Sequence, residues 1–271
     1  MSFREKNIQI APNNFTVSYI DEGKKRAPSV IFIHGFPFNK SMWDKQVEAL
    51  KDNYRVIVYD IRGHGGTDSG SEEFSLELFV NDLYSFMDTL KIDKTAVCGL
   101  SLGGYIALNA IEKDPGRFSA LILCDTTCLA DTPEAKDKRT KAIESIKKNG
   151  VEKYANDSIK NLFAPVSFVS RKKEIADVLG MMVKTSDQSL CNTLHSLTTR
   201  KETCSKLSEI KVPVLIMVGK EDKITPPETA NFMHEKIKNS ILCIIENAGH
   251  LSNIENPGEF NFQLKKFIEK V

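Results

Sequence analysis

Short apolar, β-branched runs recur along the chain at Phe15 to Ile20, Val30 to Ile33, Arg55 to Tyr59, Thr95 to Cys98, Ala120 to Cys124, Val214 to Val218 and Leu242 to Glu246. Runs of this length and composition predict strands buried on both faces. Between several of them the spacing changes to that of a helix with one apolar side. Ser75 to Leu90 puts Leu76, Phe79, Leu83, Phe86, Met87 and Leu90 on one face, and Glu259 to Val271 does the same with Phe260, Leu264, Phe267 and Ile268. Strand and helix in alternation predict an α/β chain with a mostly parallel, doubly covered sheet. In such sheets ligand chemistry gathers beyond the carboxyl ends of the strands, so function is sought in the residues just after each run.

One stretch breaks the alternation. From about Thr126 to Lys206 no buried strand is legible, only helical patterns rich in Lys, Leu, Phe and Met. The expected organisation is therefore a core of residues 1–125 and 207–271, with residues 126–206 as a helical insertion over the strand ends. That window holds 15 Lys plus Arg against 10 Asp plus Glu, in a chain with 37 against 36 overall, so the remainder is net acidic. A cationic insertion suits an anionic ligand. The plainer reading is a solvated face, because Lys136, Lys138, Arg139, Lys141, Lys147 and Lys148 are spaced like exposed helix positions. Within the same window Met181, Met182, Phe163, Phe168, Leu190 and Leu194 are candidates for an apolar pocket wall, or equally for packing between helices.

Composition removes several classes. A chain of 271 residues with 41% hydrophobic and 27% charged residues and a formal net charge of +1 has the make-up of an ordinary globular protein. It is neither a disordered polymer nor a polycation built to coat nucleic acid. Its longest apolar runs fall far short of the roughly 20 residues that span a bilayer, so no membrane partner is expected. Met1 to Gln9 mixes Arg4, Glu5 and Lys6 with scattered apolar positions and holds no leader-like stretch, which makes a cytoplasmic location the expectation. The six cysteines, Cys98, Cys124, Cys128, Cys191, Cys204 and Cys243, form no C-x-x-C unit, and three sit in apolar runs; all are expected as reduced thiols. No His or Cys pair has metal-ligand spacing, and Gly63 to Gly66 lacks the following Lys-Ser/Thr of a phosphate loop. No metal, nucleotide or other cofactor is implied.

Candidate chemistry concentrates in Gly99-x-Ser101-x-Gly103-Gly104, which follows a strand run and precedes the helical pattern Leu102, Ile106, Ala110, Ile111. A serine on a sharp strand-to-helix turn exposes its hydroxyl at a helix N-terminus, provided that its neighbours leave room for the close approach of helix and strand. Such a hydroxyl needs a base, and the base needs an orienting partner. Of the five histidines, His250 lies between the last strand run and the final helix, on a loop at a strand end. His34 directly follows the Val30 to Ile33 run and is expected to shape that loop, while His64, His195 and His234 read as structural or exposed. Asp222 occupies the loop one strand before His250, and Asp125, at the end of the Ala120 to Cys124 run, is its rival as the acid. The Leu102 N–H at the start of the helix is one candidate donor to a developing oxyanion, and the Phe36 N–H in His34-Gly-Phe-Pro37 is the other; each such donor contributes about 3 kcal/mol. Trp43 and Phe38 read as packing beneath that loop.

Taken together, His34-Gly35, Asp60-x-Arg-Gly-His-Gly65, Gly99-x-Ser-x-Gly-Gly104, Gly219-x-x-Asp222 and Gly249-His250 resemble the motif series of the α/β-hydrolase family, in order and over nearly the whole chain. The resemblance implies Ser101 as nucleophile, His250 as base, Asp222 as its orienting acid, the Phe36 and Leu102 amides as an oxyanion hole, and residues 126–206 as a lid. Leu100 to Gly104, Arg139 to Gly150 with Asn161 to Pro165, and Gly219 to Pro226 are most similar to the 3-oxoadipate enol-lactonase and small carboxylesterase branch. A serine at the nucleophile position argues against the dehalogenase and epoxide hydrolase branches, whose intermediate is a carboxylate ester. The expected function is hydrolysis of a small carboxylic ester or lactone. Alternatives are a slow-turnover ligand sensor, and a C–C hydrolase or cofactor-free haloperoxidase using the same triad.

Overall fold

The computed structural model describes residues 3–11 and 15–271. Met1, Ser2 and residues 12–14, which the sequence reading assigns to the core, lie outside the described residues. Eight strands form one sheet in the order β1-β2-β4-β3-β5-β6-β7-β8, with β1 Lys6–Ile10, β2 Phe15–Glu22, β3 Ser29–Ile33, β4 Arg55–Tyr59, β5 Thr95–Leu100, β6 Phe118–Cys124, β7 Val214–Gly219 and β8 Ser240–Ile245. From β4 across to β8 every pairing is parallel, while β1 and β2 form an antiparallel edge. Seven strands match the apolar runs. The eighth, β1, is not legible as a strand because its KNIQI sequence lies half exposed at the edge and offers no buried run.

The alternation of side chains divides the strands between two apolar layers. Ile31, Ile33, Val97, Leu121 and Ile216 pack under α2 (Leu76–Thr89) and α3 (Leu102–Lys113). Phe32, Val58, Cys98, Ile122 and Met217 pack under α1 (Asp44–Leu50) and under α10 (Pro257–Ile268), the last helix of the chain. Trp43 and Phe38 are wholly buried in this second layer. Because β3 pairs with both β4 and β5, the chain winds first to one side and then to the other. The crevice beyond the carboxyl ends of β3 and β5 is the switch point where such sheets bind ligands.

Helix α8 (Pro227–Lys236) joins β7 to β8, whereas between β6 and β7 the chain leaves the sheet for α4 (Pro133–Leu162, interrupted at Gly150), α5 (Ser167–Ser170), α6 (Lys172–Met182) and α7 (Asp187–Thr199). The expectation of six reduced thiols fails at the base of this segment, where Cys128 and Cys204 form a disulfide across 76 residues. The two ends of the insertion return to one place, a juxtaposition that sequence spacing does not reveal. A disulfide is the linkage of oxidising surroundings, whereas a cytoplasmic location supposes reducing ones. Cys98, Cys124, Cys191 and Cys243 are free thiols. Among the described residues no helix is long and apolar enough to cross a membrane.

Candidate active site

Ser101 stands at the turn from β5 into α3 with φ 52° and ψ −113°, a left-handed conformation that a non-glycine residue holds only when its surroundings enforce it. Here they do. A Cβ on Gly99 would meet the Gly103 carbonyl oxygen at 2.2 Å, and one on Gly103 would meet the Ile33 carbonyl oxygen at 2.2 Å. Helix and strands are therefore in backbone contact, and the serine is lifted to the sheet's carboxyl edge. Its Oγ lies 2.9 Å from His250 Nε2, and His250 Nδ1 lies 2.8 Å from Asp222 Oδ2. The three residues come from the ends of β5, β7 and β8.

Asp222 is saturated with donors. Its Oδ1 accepts the Ile224 and Thr225 amides at 2.8 and 3.1 Å, and its Oδ2 also accepts the Thr225 hydroxyl at 2.8 Å. Burial by itself would raise this carboxyl; His250 and the two amides outweigh burial and hold it below the ordinary carboxylate range. Burial would likewise depress His250, but Asp222, followed by Asp125 and Glu255, raises it above its ordinary value. Asp125 is fully buried at the end of β6, accepting the Gly219 amide at 2.8 Å and the Ser252 hydroxyl at 2.5 Å. Burial and the nearby Asp222 charge push it well above the carboxylate range. The two rival acids are thus shifted in opposite directions, and the one held below the ordinary range is in contact with the imidazole.

The loop after β3 lies against the same turn, since Ile33 pairs with Gly99 and a Cβ on Gly35 would meet Ser101 Cβ at 3.3 Å. Among the described residues neither the Phe36 nor the Leu102 N–H donates to a protein acceptor. His34 is buried in this loop, its Nε2 accepting the Ile61 amide at 3.0 Å. Burial lowers it to about 4 and lowers its neighbour His64 to about 3, so both are neutral imidazoles at pH 7. His195 is exposed, and His234 Nδ1 lies 2.8 Å from Ser240 Oγ.

Ser101 and His250 open into a cavity of about 600 Å³ beneath the insertion. Met182 and Leu194 line it, whereas Phe163 and Leu190 are spent in packing and Phe168 is partly exposed. Its charged lining is Lys138, Arg139, Arg200 and Lys223 against Asp131 alone. Arg139 and Arg200 both pair with Asp131, the latter at 2.8 Å, and Arg200 stacks 4.1 Å from the Tyr105 ring centroid. The solvated-face reading therefore fails at Arg139, which the fold turns inward, and holds at Lys136, Lys141, Lys147 and Lys148, which are exposed. Arg171 pairs with Glu174 away from the cavity. A groove of similar volume beside Asp44, Lys45 and Lys265 holds no nucleophile or histidine. Among the described residues no cluster of His, Cys, Asp and Glu could hold a metal.

Sequence reasoning missed Thr225 and Glu255. Thr225 lies three residues after Asp222, where a hydroxyl can fold back on the carboxylate; no comparable pattern marks Glu255.

An open, mostly parallel sheet with a serine raised on a glycine-lined elbow is a hydrolase architecture. The chain belongs to the α/β-hydrolase fold family, whose model matches residues 28–257. It is 28% identical over 256 residues to 3-oxoadipate enol-lactonase 1 of Acinetobacter baylyi, covering 94% of each chain. A thermophilic esterase from Thermogutta terrifontis, solved with malate bound, superposes with a TM-score of 0.93 at 29% identity over 98% of both chains. The enol-lactonase from Burkholderia xenovorans LB400 shares the fold, with a TM-score of 0.90 at 24% identity over 97% of this chain and all of that one.

Proposed function

We propose that this protein is a serine hydrolase that cleaves a small carboxylic ester or lactone through an acyl-enzyme on Ser101. The observation that carries the reading is the continuous contact from Ser101 Oγ through His250 to Asp222 at 2.9 and 2.8 Å. His250 Nε2 takes the hydroxyl proton as Oγ bonds to the acyl carbon, and Asp222 steadies the imidazolium that forms. The Phe36 and Leu102 amides receive the negative charge that develops on the carbonyl oxygen. As the tetrahedral intermediate collapses, the C–O bond to the alcohol breaks and His250 returns the proton to the departing oxygen. Water then repeats the sequence on the acyl-enzyme, releasing the acid and restoring Ser101. Residues 126–206 act as the lid over this cavity, and its lining of four cations against one carboxylate favours a substrate that carries a carboxylate. The enol-lactonase and esterase relatives support the ester and lactone classes.

Incubation with a fluorophosphonate followed by mass spectrometry of the digest tests the mechanism. The Ser101 peptide should carry the label, and Ser101→Ala should remove ester hydrolysis. An unlabelled Ser101 peptide, or hydrolysis surviving Ser101→Ala, refutes it. Paired 4-nitrophenyl esters of a dicarboxylic half-ester and its neutral methyl ester test the charge preference, which fails if the neutral member is turned over faster.

A further inference from the structure

Glu255 lies in α9 (Ser252–Glu255), five residues after His250, and is 2% exposed. Its Oε1 accepts the Gly249 amide at 2.7 Å, directly before His250. Its Oε2 accepts the Ala164 amide at 2.7 Å and the Ser167 hydroxyl at 2.6 Å, both from the turn between α4 and α5. The His250 amide donates to the Leu162 carbonyl of the same turn at 2.8 Å. A Cβ on Gly249 would meet Ala164 N at 2.8 Å, so the two backbones are in direct contact. The backbone carrying the imidazole is thus held by the insertion as well as by the sheet. Leu162 is at once part of this tie and part of the cavity wall.

We propose that Glu255 is a positioning residue that couples the insertion to the base, so that the packing of Leu162 against a bound substrate, carried through the turn to Ser167, sets the alignment of His250. The inference rests on His250 being the base, as proposed above. A carboxylate is required because both ends of the side chain face N–H donors that cannot reverse. A glutamine can turn its oxygen to Gly249 or to Ala164; its NH2 then confronts the other, and one tie is lost. Burial raises Glu255 above the ordinary carboxylate range against the hydrogen bonds from Ser167, Ala164 and Gly249, and the field of its carboxylate reaches the imidazole too. The groups that bear on the imidazole are Asp222 from the β7 loop, Asp125 from the end of β6 and Glu255 from α9, and each raises His250.

The test combines Glu255→Gln and Ser167→Ala with two readouts that a merely structural role leaves unmoved. In Glu255→Gln, kcat on a 4-nitrophenyl ester should fall about tenfold or more as the base loses its alignment. The imidazole titration of His250, followed by NMR in the resting enzyme, should move about half a pH unit or more to lower pH. In Ser167→Ala the charge remains while one tie is cut, so kcat should fall by a smaller factor with the titration in place. A Glu255→Gln protein that melts at lower temperature yet keeps kcat and the His250 titration overturns the proposal. So does a Ser167→Ala protein with unchanged kcat, which serves if the glutamine variant does not fold. Fluorophosphonate labelling of the wild type separates the two readings, because failure there removes the serine mechanism while the NMR titration still decides the influence of Glu255.

Discussion

Replacing Asp222 by asparagine discriminates sharply between the two buried acids. The Ile224 and Thr225 amides both point at Oδ1, at 2.8 and 3.1 Å, so the asparagine carbonyl must take that place and the NH2 must face His250 Nδ1. A donor opposite Nδ1 forces the ring proton onto Nε2, the atom 2.9 Å from Ser101 Oγ, and the ring can no longer accept the serine proton. The expected loss in kcat is about 10⁴-fold, or about 5 kcal/mol of transition-state stabilisation. Asp125→Asn removes a carboxyl that burial and the Asp222 charge push well above the carboxylate range and whose hydrogen bonds run to Gly219 and Ser252, not to the imidazole. Its cost should stay below about tenfold, the scale of one altered neutral hydrogen bond. Steady-state hydrolysis of a 4-nitrophenyl ester at pH 8, with fluorophosphonate labelling rates alongside, measures both. The reasoning is refuted if Asp222→Asn keeps a tenth of wild-type kcat, or if Asp125→Asn loses as much as Asp222→Asn.

Further outcomes follow from other groups. His250 is raised above its ordinary 6.5 and must be neutral to act as base, so the acid limb of kcat/KM should be centred above pH 6.5; a limb below pH 6 contradicts this. His34 and His64 are depressed to about 4 and about 3, so below pH 6.5 the unfolded chain binds protons there that the native chain does not. Each therefore removes on the order of 3 kcal/mol of stability by pH 4.5, and urea midpoints of the wild type should fall relative to His64→Gln between pH 7 and 4.5. A constant gap would sink the assignment of neutral His64. Thiol titration of the unreduced, denatured chain should find the four free cysteines, and Cys204→Ser should lower stability by about 4 kcal/mol through release of the 76-residue closure. Six reactive thiols would contradict the pairing.

The legible parts of the chain share a local cause. Strands such as Val30 to Ile33 are buried on both faces and show as unbroken apolar runs, whereas β1, exposed at the sheet edge, shows no such run. Ser101 is marked by glycines that its own turn demands, and Asp222 and His250 stand just past strand ends, where the α/β pattern directs attention. Arg139 could not be read in the same way. Its spacing on α4 matches that of its exposed neighbours, and only the packing of that helix over the strand ends turns it toward Tyr105 and Asp131.

By itself the amino-acid order determined the layered α/β architecture, the elbow and the inventory of reactive side chains, because each depends on residues close together along the chain. Tertiary structure alone decided which acid is lowered and which is raised, the closure of Cys128 on Cys204, the cationic wall and the grip of Glu255 on the histidine loop. Those properties depend on burial and on contacts between segments tens of residues apart, and burial sets the energy of a charge only once the chain has folded around it.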